Sequence, residues 1–223
     1  MVKQKADCES WGFGLKVLII NNHLDPKENE ELAGAVGGFC EYETVSYKAI
    51  DVEYEPGEDI GAVILSGSKA RIVDPDSVAE FKHVASLIRR IEVPLLGICF
   101  GHQLICLALG AKVGALECPV KDRFERVRVI RVNDLFWGFQ TGQNIPLAEW
   151  HNDYVKKDGL SEAGFELLAD SSSCEVEAVK HRFKPLYGVQ FHPERFRSAD
   201  GGEEHKEGLQ IIRNFCSVAK QMS

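Results

Sequence analysis

Gly97-Ile98-Cys99-Phe100-Gly101-His102-Gln103 follows the apolar run Val93 to Leu96 and opens a helical pattern. Read as strand, sharp turn and helix, it puts a cysteine at the apex of a nucleophile elbow. In the spacing Gly-x-Cys-x-Gly, the glycines allow a strained turn and a close approach of strand to helix, which pushes the side chain between them into the open. A helix N-terminus beside such a cysteine favours the thiolate, the form that attacks a carbonyl. Far downstream, Tyr187-Gly188-Val189-Gln190-Phe191-His192-Pro193-Glu194 reads as a strand ending in His-Pro-Glu. An elbow nucleophile needs a base, and the base needs a carboxylate to hold its tautomer. Cys99, His192 and Glu194 are therefore the candidate catalytic residues.

Outward from the elbow, short apolar runs alternate with helical patterns. This predicts an α/β fold with a mixed, largely parallel central sheet covered by helices on both faces. Lys16 to Ile20 reads as the first strand, followed by a helix from near Pro26 with Leu32, Val36 and Phe39 on one face. Gly61 to Leu65 reads as another buried strand. Asp74-Pro75-Asp76 carries a helix-start signal, and Val78, Phe81, Val84, Ala85, Ile88 and Ile91 predict one helix running on to Arg89-Arg90. Beyond Val113 the runs alternate more, and Phe124 to Val132, Ile145 to Trp150, Phe165 to Ala169 and Cys174 to Lys180 read as antiparallel strands. A last helix from about Glu203 carries Leu209, Ile212, Phe215 and Ala219 on one stripe.

At 223 residues with 44% hydrophobic content, the chain can bury a full core. The expected organisation is an N-terminal extension over 1–13 and a single domain over 14–223. A formal net charge of −8 with no basic run argues against a surface built for nucleic acid or anionic lipid. The longest apolar stretches are far too short to span a bilayer and the N-terminus lacks a signal-peptide core, so a cytoplasmic protein is expected. Seven cysteines without a C-x-x-C pair read as reduced thiols. No metal site is expected, because neither H-E-x-x-H nor a Cys/His cluster occurs. Gly12-Phe13-Gly14 precedes the first strand and so is not a dinucleotide fingerprint.

The pair GICFGHQ and YGVQFHPE, in this order, resembles the signature of the class I glutamine amidotransferases, and the likeness covers about residues 14 to 217. The resemblance implies a flavodoxin-like fold and no cofactor. It carries Cys99 over as nucleophile, His192 as general base and acid, and Glu194 as the group that orients His192. The substrate implied is L-glutamine, hydrolysed through a cysteine-linked glutamyl thioester to glutamate and ammonia. The oxyanion donors implied are the backbone N–H groups of Phe100 and Ser68. The family usually has Leu-Ser-Gly-Gly-Pro where this chain has Leu65-Ser66-Gly67-Ser68-Lys69, with Gly67 beside the substrate. If the second position needs φ > 0, Ser68 costs about 1 kcal/mol or more and the loop rests in an inactive form. If only the backbone amide is used, serine serves as well as glycine.

Gln103 is placed near the substrate by resemblance, an exposed helix glutamine being the alternative. Trp150-His151-Asn152-Asp153-Tyr154-Val155 resembles a Ser-His-x-Asp-x-Val element that holds the amino-acid group of glutamine or couples to a partner. His151, Asn152 and Asp153 are carried over on that basis, against an ordinary strand-to-loop turn, and Trp150 stands where the serine usually is. Within the family, Cys174 to His181 and Asn133 to Gly138 look most like the separate glutaminase subunit of GMP synthase. Neither a G-x-x-x-x-G-K-S/T loop nor an S-G-G-x-D-S loop is present, so an ammonia-accepting ATP pyrophosphatase subunit that aminates XMP is expected in trans. A stand-alone hydrolase of γ-glutamyl amides or peptides is the alternative, and a non-catalytic regulatory module a third.

Overall fold

A computed structural model describes residues 16–197 and 204–222, so the expected extension over 1–13 lies outside the described residues. In chain order the elements are β1 (Lys16–Asn21), α1 (Glu30–Gly37), β2 (Glu41–Ser46), β3 (Ile60–Leu65), α2 (Pro75–Ala79), α3 (Lys82–Arg90), β4 (Leu95–Ile98), α4 (Phe100–Ala108), β5 (Val113–Val129), β6 (Asn144–Val155), β7 (Phe165–Asp170), β8 (Ala178–His181), β9 (Leu186–Val189) and α5 (Glu207–Met222). They build a nine-stranded sheet in the order β2-β1-β3-β4-β9-β8-β7-β5-β6. From β2 to β9 every pairing is parallel, and from β9 to β6 every pairing is antiparallel. The division follows the sequence: the near-continuous apolar strands β1, β3 and β4 are buried on both faces, and the alternating ones form the antiparallel half.

Alternation along each inner strand feeds two cores. Val17, Ile19, Ala62, Ile64, Leu96 and Ile98 meet Leu32 and Val36 of α1 and Ile212 and Phe215 of α5. On the opposite face Leu18, Ile20, Val63, Leu65 and Leu95 meet Val84, Leu87 and Ile88 of α3 and Leu104 and Ile105 of α4. Helices thus cover both faces. Among the described residues no helix is long and apolar enough to cross a membrane.

Four details differ from the sequence reading. β2 pairs with β1 at the sheet edge and is almost wholly exposed, so Glu41–Ser46 carries no apolar signal. The single helix expected over 75–90 is two, α2 and α3, because the chain leaves helical geometry at Phe81. That break lets the Phe81 ring lie between Tyr47 and Phe100, with centroids 4.3 and 4.6 Å away. β5 is one irregular strand of 17 residues instead of a run beginning at Phe124, with register shifts on either side of Val120 and a left-handed Asp122 (φ 36°). The strand expected from Cys174 begins only at Ala178, since Ser171 and Cys174 close a turn in which the Ser171 N–H donates to the Cys174 carbonyl at 2.8 Å.

Asp134 ties the connection after β5 to the two strands next to the site. Its carboxylate accepts from the Tyr187 hydroxyl (2.6 Å) and the Lys180 ammonium (2.8 Å). Burial pushes its pKa up, but the hydrogen bonds from Lys180 and Tyr187 prevail and hold it below the ordinary 3.8. A depressed carboxyl contributes stability that is full above its ordinary pKa and fades as pH falls through the native value. Asp134→Asn is expected to lower stability by about 1–2 kcal/mol at neutral pH. In urea unfolding the gap from wild type should narrow on acidification below 3.8; a gap that does not change with pH would refute this role.

Candidate active site

β4 ends in the elbow. Cys99 sits at φ 50°, ψ −105°, and among the described residues only Asp122 shares a positive φ without being glycine. Close packing of α4 on the sheet imposes this conformation. A Cβ on Gly97 would lie 2.5 Å from the Gly101 carbonyl, and one on Gly101 would lie 2.5 Å from the Leu65 carbonyl oxygen of β3. Helix and strands touch backbone to backbone, and the residue between them is turned outward at a strain of about 1–3 kcal/mol. The Cys99 N–H donates to the Val189 carbonyl at 2.8 Å, which ties the elbow to β9. Phe100 opens α4, so its N–H has no carbonyl one turn back within the helix.

Three residues beyond β9, the His192 N–H donates to the Ala148 carbonyl of β6 at 2.8 Å. The parallel pairing of β4 with β9, Ile98 opposite Val189, sets the imidazole beside the thiol. His192 Nδ1 is 2.7 Å from Glu194 Oε1, and both side chains are buried. Burial opposes a charged imidazole, but the Glu194 carboxylate and then the Cys99 thiolate overcome it and raise the His192 pKa to about 10. Glu194 shows the counterpart: burial pushes its carboxyl up, and the facing imidazolium holds it below its ordinary value. The arrangement is a buried carboxylate, an imidazole poised to hold a proton, and a cysteine sulfur beside it.

These groups open into a cleft of about 490 Å³ lined by His23, Ser68, Arg71, Cys99, Gln103 and Trp150, among others. Gly67 lies against the pair, where an added Cβ would come 3.0 Å from His192 Cε1 and 3.7 Å from Cys99 Cβ. Ser68 has no positive φ. Its hydroxyl donates to the Asn22 carbonyl (2.9 Å) and accepts from the Ala70 N–H (3.1 Å), so serine fits this turn without the strain a left-handed conformation would bring.

The other residues singled out in sequence divide. Gln103 is buried, not an exposed helix glutamine, and its amide nitrogen donates to the Asp153 carbonyl (2.7 Å) and to Gln190 Oε1 (3.0 Å), joining α4 to β6 and to the residue after β9. His151 is also buried, with Nδ1 donating to the Asp153 carbonyl at 2.9 Å. Asn152 lines the cleft from the exposed side of β6. Asp153 is gripped in two-pronged fashion by Arg71, whose Nε and Nη2 lie 2.8 and 2.6 Å from its two oxygens. Trp150, 46% exposed, turns its ring to Arg195 at 5.3 Å and its carbonyl to Cys99 Sγ at 3.7 Å.

Sequence reasoning missed Arg71 and Gln190. Gln190 Nε2 donates to Cys99 Sγ at 3.6 Å from inside the quoted strand motif, where its alternation with the buried Val189 and Phe191 drew no notice. Arg71 carries no spacing signal, because its partner Asp153 arrives from the other half of the sheet.

A family model described as glutamine amidotransferase class-I matches residues 18–211. The chain is 40% identical over 170 residues to a glutamine-hydrolyzing GMP synthase subunit of Methanocaldococcus jannaschii, an alignment covering 74% of this chain and 78% of that one. It is 33% identical over 206 residues to the protein of the same description from Methanothermobacter thermautotrophicus, covering 92% of this chain and 98% of that one. Among solved structures it resembles a Thermoplasma acidophilum protein provisionally assigned as the corresponding GMP synthase subunit, with a TM-score of 0.76 and 26% identity over 94% of this chain and 96% of that one.

Replacing the orienting carboxylate tests the electrostatics directly. Glu194→Gln removes the anion that raises His192, so the imidazole should titrate well below about 10 when followed by proton NMR. A raised histidine contributes stability below its ordinary pKa of 6.5 that is lost as pH rises through the native value. The stability difference between wild type and Glu194→Gln should accordingly shrink toward pH 10. An unchanged His192 titration would show that Glu194 does not govern it.

Proposed function

The chain belongs to the class I glutamine amidotransferases, and from that premise we propose that it hydrolyses L-glutamine and passes the ammonia to a separate synthase subunit that makes GMP. The observation that carries the reading is the Cys99–His192–Glu194 constellation on the wall of an open cleft. The Cys99 thiolate attacks the side-chain carbonyl carbon of glutamine while the thiol proton rests on His192. The Phe100 and Ser68 N–H groups receive the oxyanion, with Gly67 leaving room over the imidazole. His192 then gives its proton to the departing amide nitrogen, and ammonia leaves a glutamyl thioester on sulfur. Water, deprotonated by His192, attacks the thioester; glutamate is released and the proton returns to the thiol. Glu194 holds Nδ1 throughout. Asn152 and the Arg71–Asp153 pair lie where the amino-acid end of glutamine would rest, while Gln103 and His151 act from beneath by fixing Asp153.

GMP synthesis is supported by the description that the Methanocaldococcus jannaschii and Methanothermobacter thermautotrophicus relatives share, that of a glutamine-hydrolyzing GMP synthase subunit. The second of these aligns over nearly its whole length, which supports one amidotransferase domain over 14–223 and an XMP-aminating pyrophosphatase carried by another chain.

Cys99→Ala is expected to abolish glutamine hydrolysis with little loss of stability, and a carbonyl-reactive glutamine analogue should label Cys99 alone; mass mapping of the adduct to Cys106 or Cys118 overturns the assignment. Glu194→Gln should lower turnover by roughly a thousandfold or more. Adding the pyrophosphatase subunit with XMP and ATP should raise glutamine turnover. Full turnover by this chain alone, unmoved by that addition, would favour the stand-alone hydrolase.

A further inference from the structure

At the edge of the site, the stretch 148–150 of β6 touches both the backbone of His192 and the sulfur of Cys99. The Ala148 carbonyl accepts the His192 backbone N–H (2.8 Å) and the Trp150 carbonyl lies 3.7 Å from Cys99 Sγ. Glu149 lies between them. It is 1% exposed, and its carboxyl is in hydrogen-bond contact with that of Glu177, which is 0% exposed and just precedes β8. Glu177 belongs to the same scaffold, since its carbonyl accepts the Gln190 N–H at 2.7 Å and Gln190 reaches Cys99 Sγ.

Among the described residues no cation meets this pair. From β6, His151 brings Nε2 to 3.4 Å from Glu149 Oε2, but its Nδ1–H is used on the Asp153 carbonyl and burial holds the ring neutral, so Nε2 presents a lone pair. From β7 and the turn after it, the Ser171 hydroxyl donates to Glu177 Oε1 at 2.6 Å, and Asp170 adds negative charge. Glu125 of β5 and the Cys99 thiolate add more. From α4 comes His102, which burial keeps neutral, and Cys174 is a buried thiol beside Glu177. The arginines of this region, Arg123 and Arg128, are engaged at the surface by Glu125 and Asp170. Among the described residues, no N–H or O–H donor reaches either oxygen of Glu149 or Oε2 of Glu177. Two buried carboxylates in contact repel strongly, and a proton between them removes one charge and gives each a partner.

We propose that Glu149 and Glu177 share a single proton and act as a positioning pair that fixes the 148–150 stretch on which Cys99 and His192 rest. Burial raises both carboxyls, in line with that sharing. A carboxyl raised in the native state contributes stability that is full below its ordinary pKa of 4.5 and is lost as pH rises through the native value. Loss of the shared proton therefore drives the two side chains apart and loosens the seat of the thiol. The consequence for turnover rests on the glutaminase reading above; the pair itself does not.

Infrared titration of the intact protein tests the pair without glutamine. Wild type should keep a protonated-carboxyl carbonyl band at neutral pH, and both Glu149→Gln and Glu177→Gln should lose it. A wild type without the band, or variants that retain it, overturns the proposal. Function is read by iodoacetamide alkylation of Cys99 and by glutamine turnover. Glu149→Ala, which leaves Glu177 unpaired, should slow both by about a hundredfold, the scale of an ångström's misplacement. Glu149→Gln keeps the pair's single negative charge and supplies a fixed N–H donor, so it should rescue both rates and abolish the alkaline loss belonging to the pair. Glutamine damaging as much as alanine, or pH profiles identical to wild type, would also overturn the proposal. If wild type alkylates and titrates as described yet does not hydrolyse glutamine, the function reading fails and the pair stands.

Discussion

The contact of α4 with β3 and β4 is the constraint on which the rest of the molecule depends. Where Gly97 meets Gly101 and Gly101 meets Leu65, there is no space for a side chain. The chain can make that approach only by turning sharply, and the turn falls on Cys99. Three properties then come together: a thiol facing the cleft, a free N–H at the start of a helix, and a backbone N–H at Cys99 that binds β9. Since β9 is held at that point, His192 arrives beside the sulfur as a result of strand register and needs no flexible loop to deliver it.

Buried carboxyls on the two sides of this frame meet opposite fates. Glu194 faces an imidazole that can take a proton, stays ionised and is pulled down. Glu149 faces another carboxyl and a neutral histidine, and is pushed up. The residue type is the same and burial is similar, so the difference is the charge opposite. Asp153 likewise faces a cation, Arg71, which spans from the turn after β3. Along one face of β6, Asp153 thus meets a cation at the cleft while Glu149 meets another carboxyl.

The elbow and the His-Pro-Glu strand were legible in sequence because each packs its chemistry into a few consecutive residues. The inner strands were legible because burial on both faces writes them as unbroken apolar runs. β2 was not, since an exposed edge strand such as Glu41–Ser46 needs no apolar residue. The break at Phe81 was hidden because Val78, Val84 and Ile88 keep helical spacing on both sides of it. Glu149 was hidden for another reason: a glutamate in an alternating strand reads as solvent-facing, and only the arrival of Glu177 from a distant segment makes it a buried group. Arg71 and Asp153 likewise meet only once the two halves of the sheet have joined.

That joining also orders events during synthesis. The elbow strand β4 is made early, but its neighbour β9 follows only after the whole antiparallel half, β5 to β8, has been translated. Until β9 inserts, the incomplete sheet has an open edge at β4, and Cys99 has neither His192 nor the Val189 carbonyl that steadies it. A nascent or truncated chain therefore carries the sulfur without the base. The meeting of sulfur and imidazole thus comes into being only with the closing of the sheet, late in synthesis.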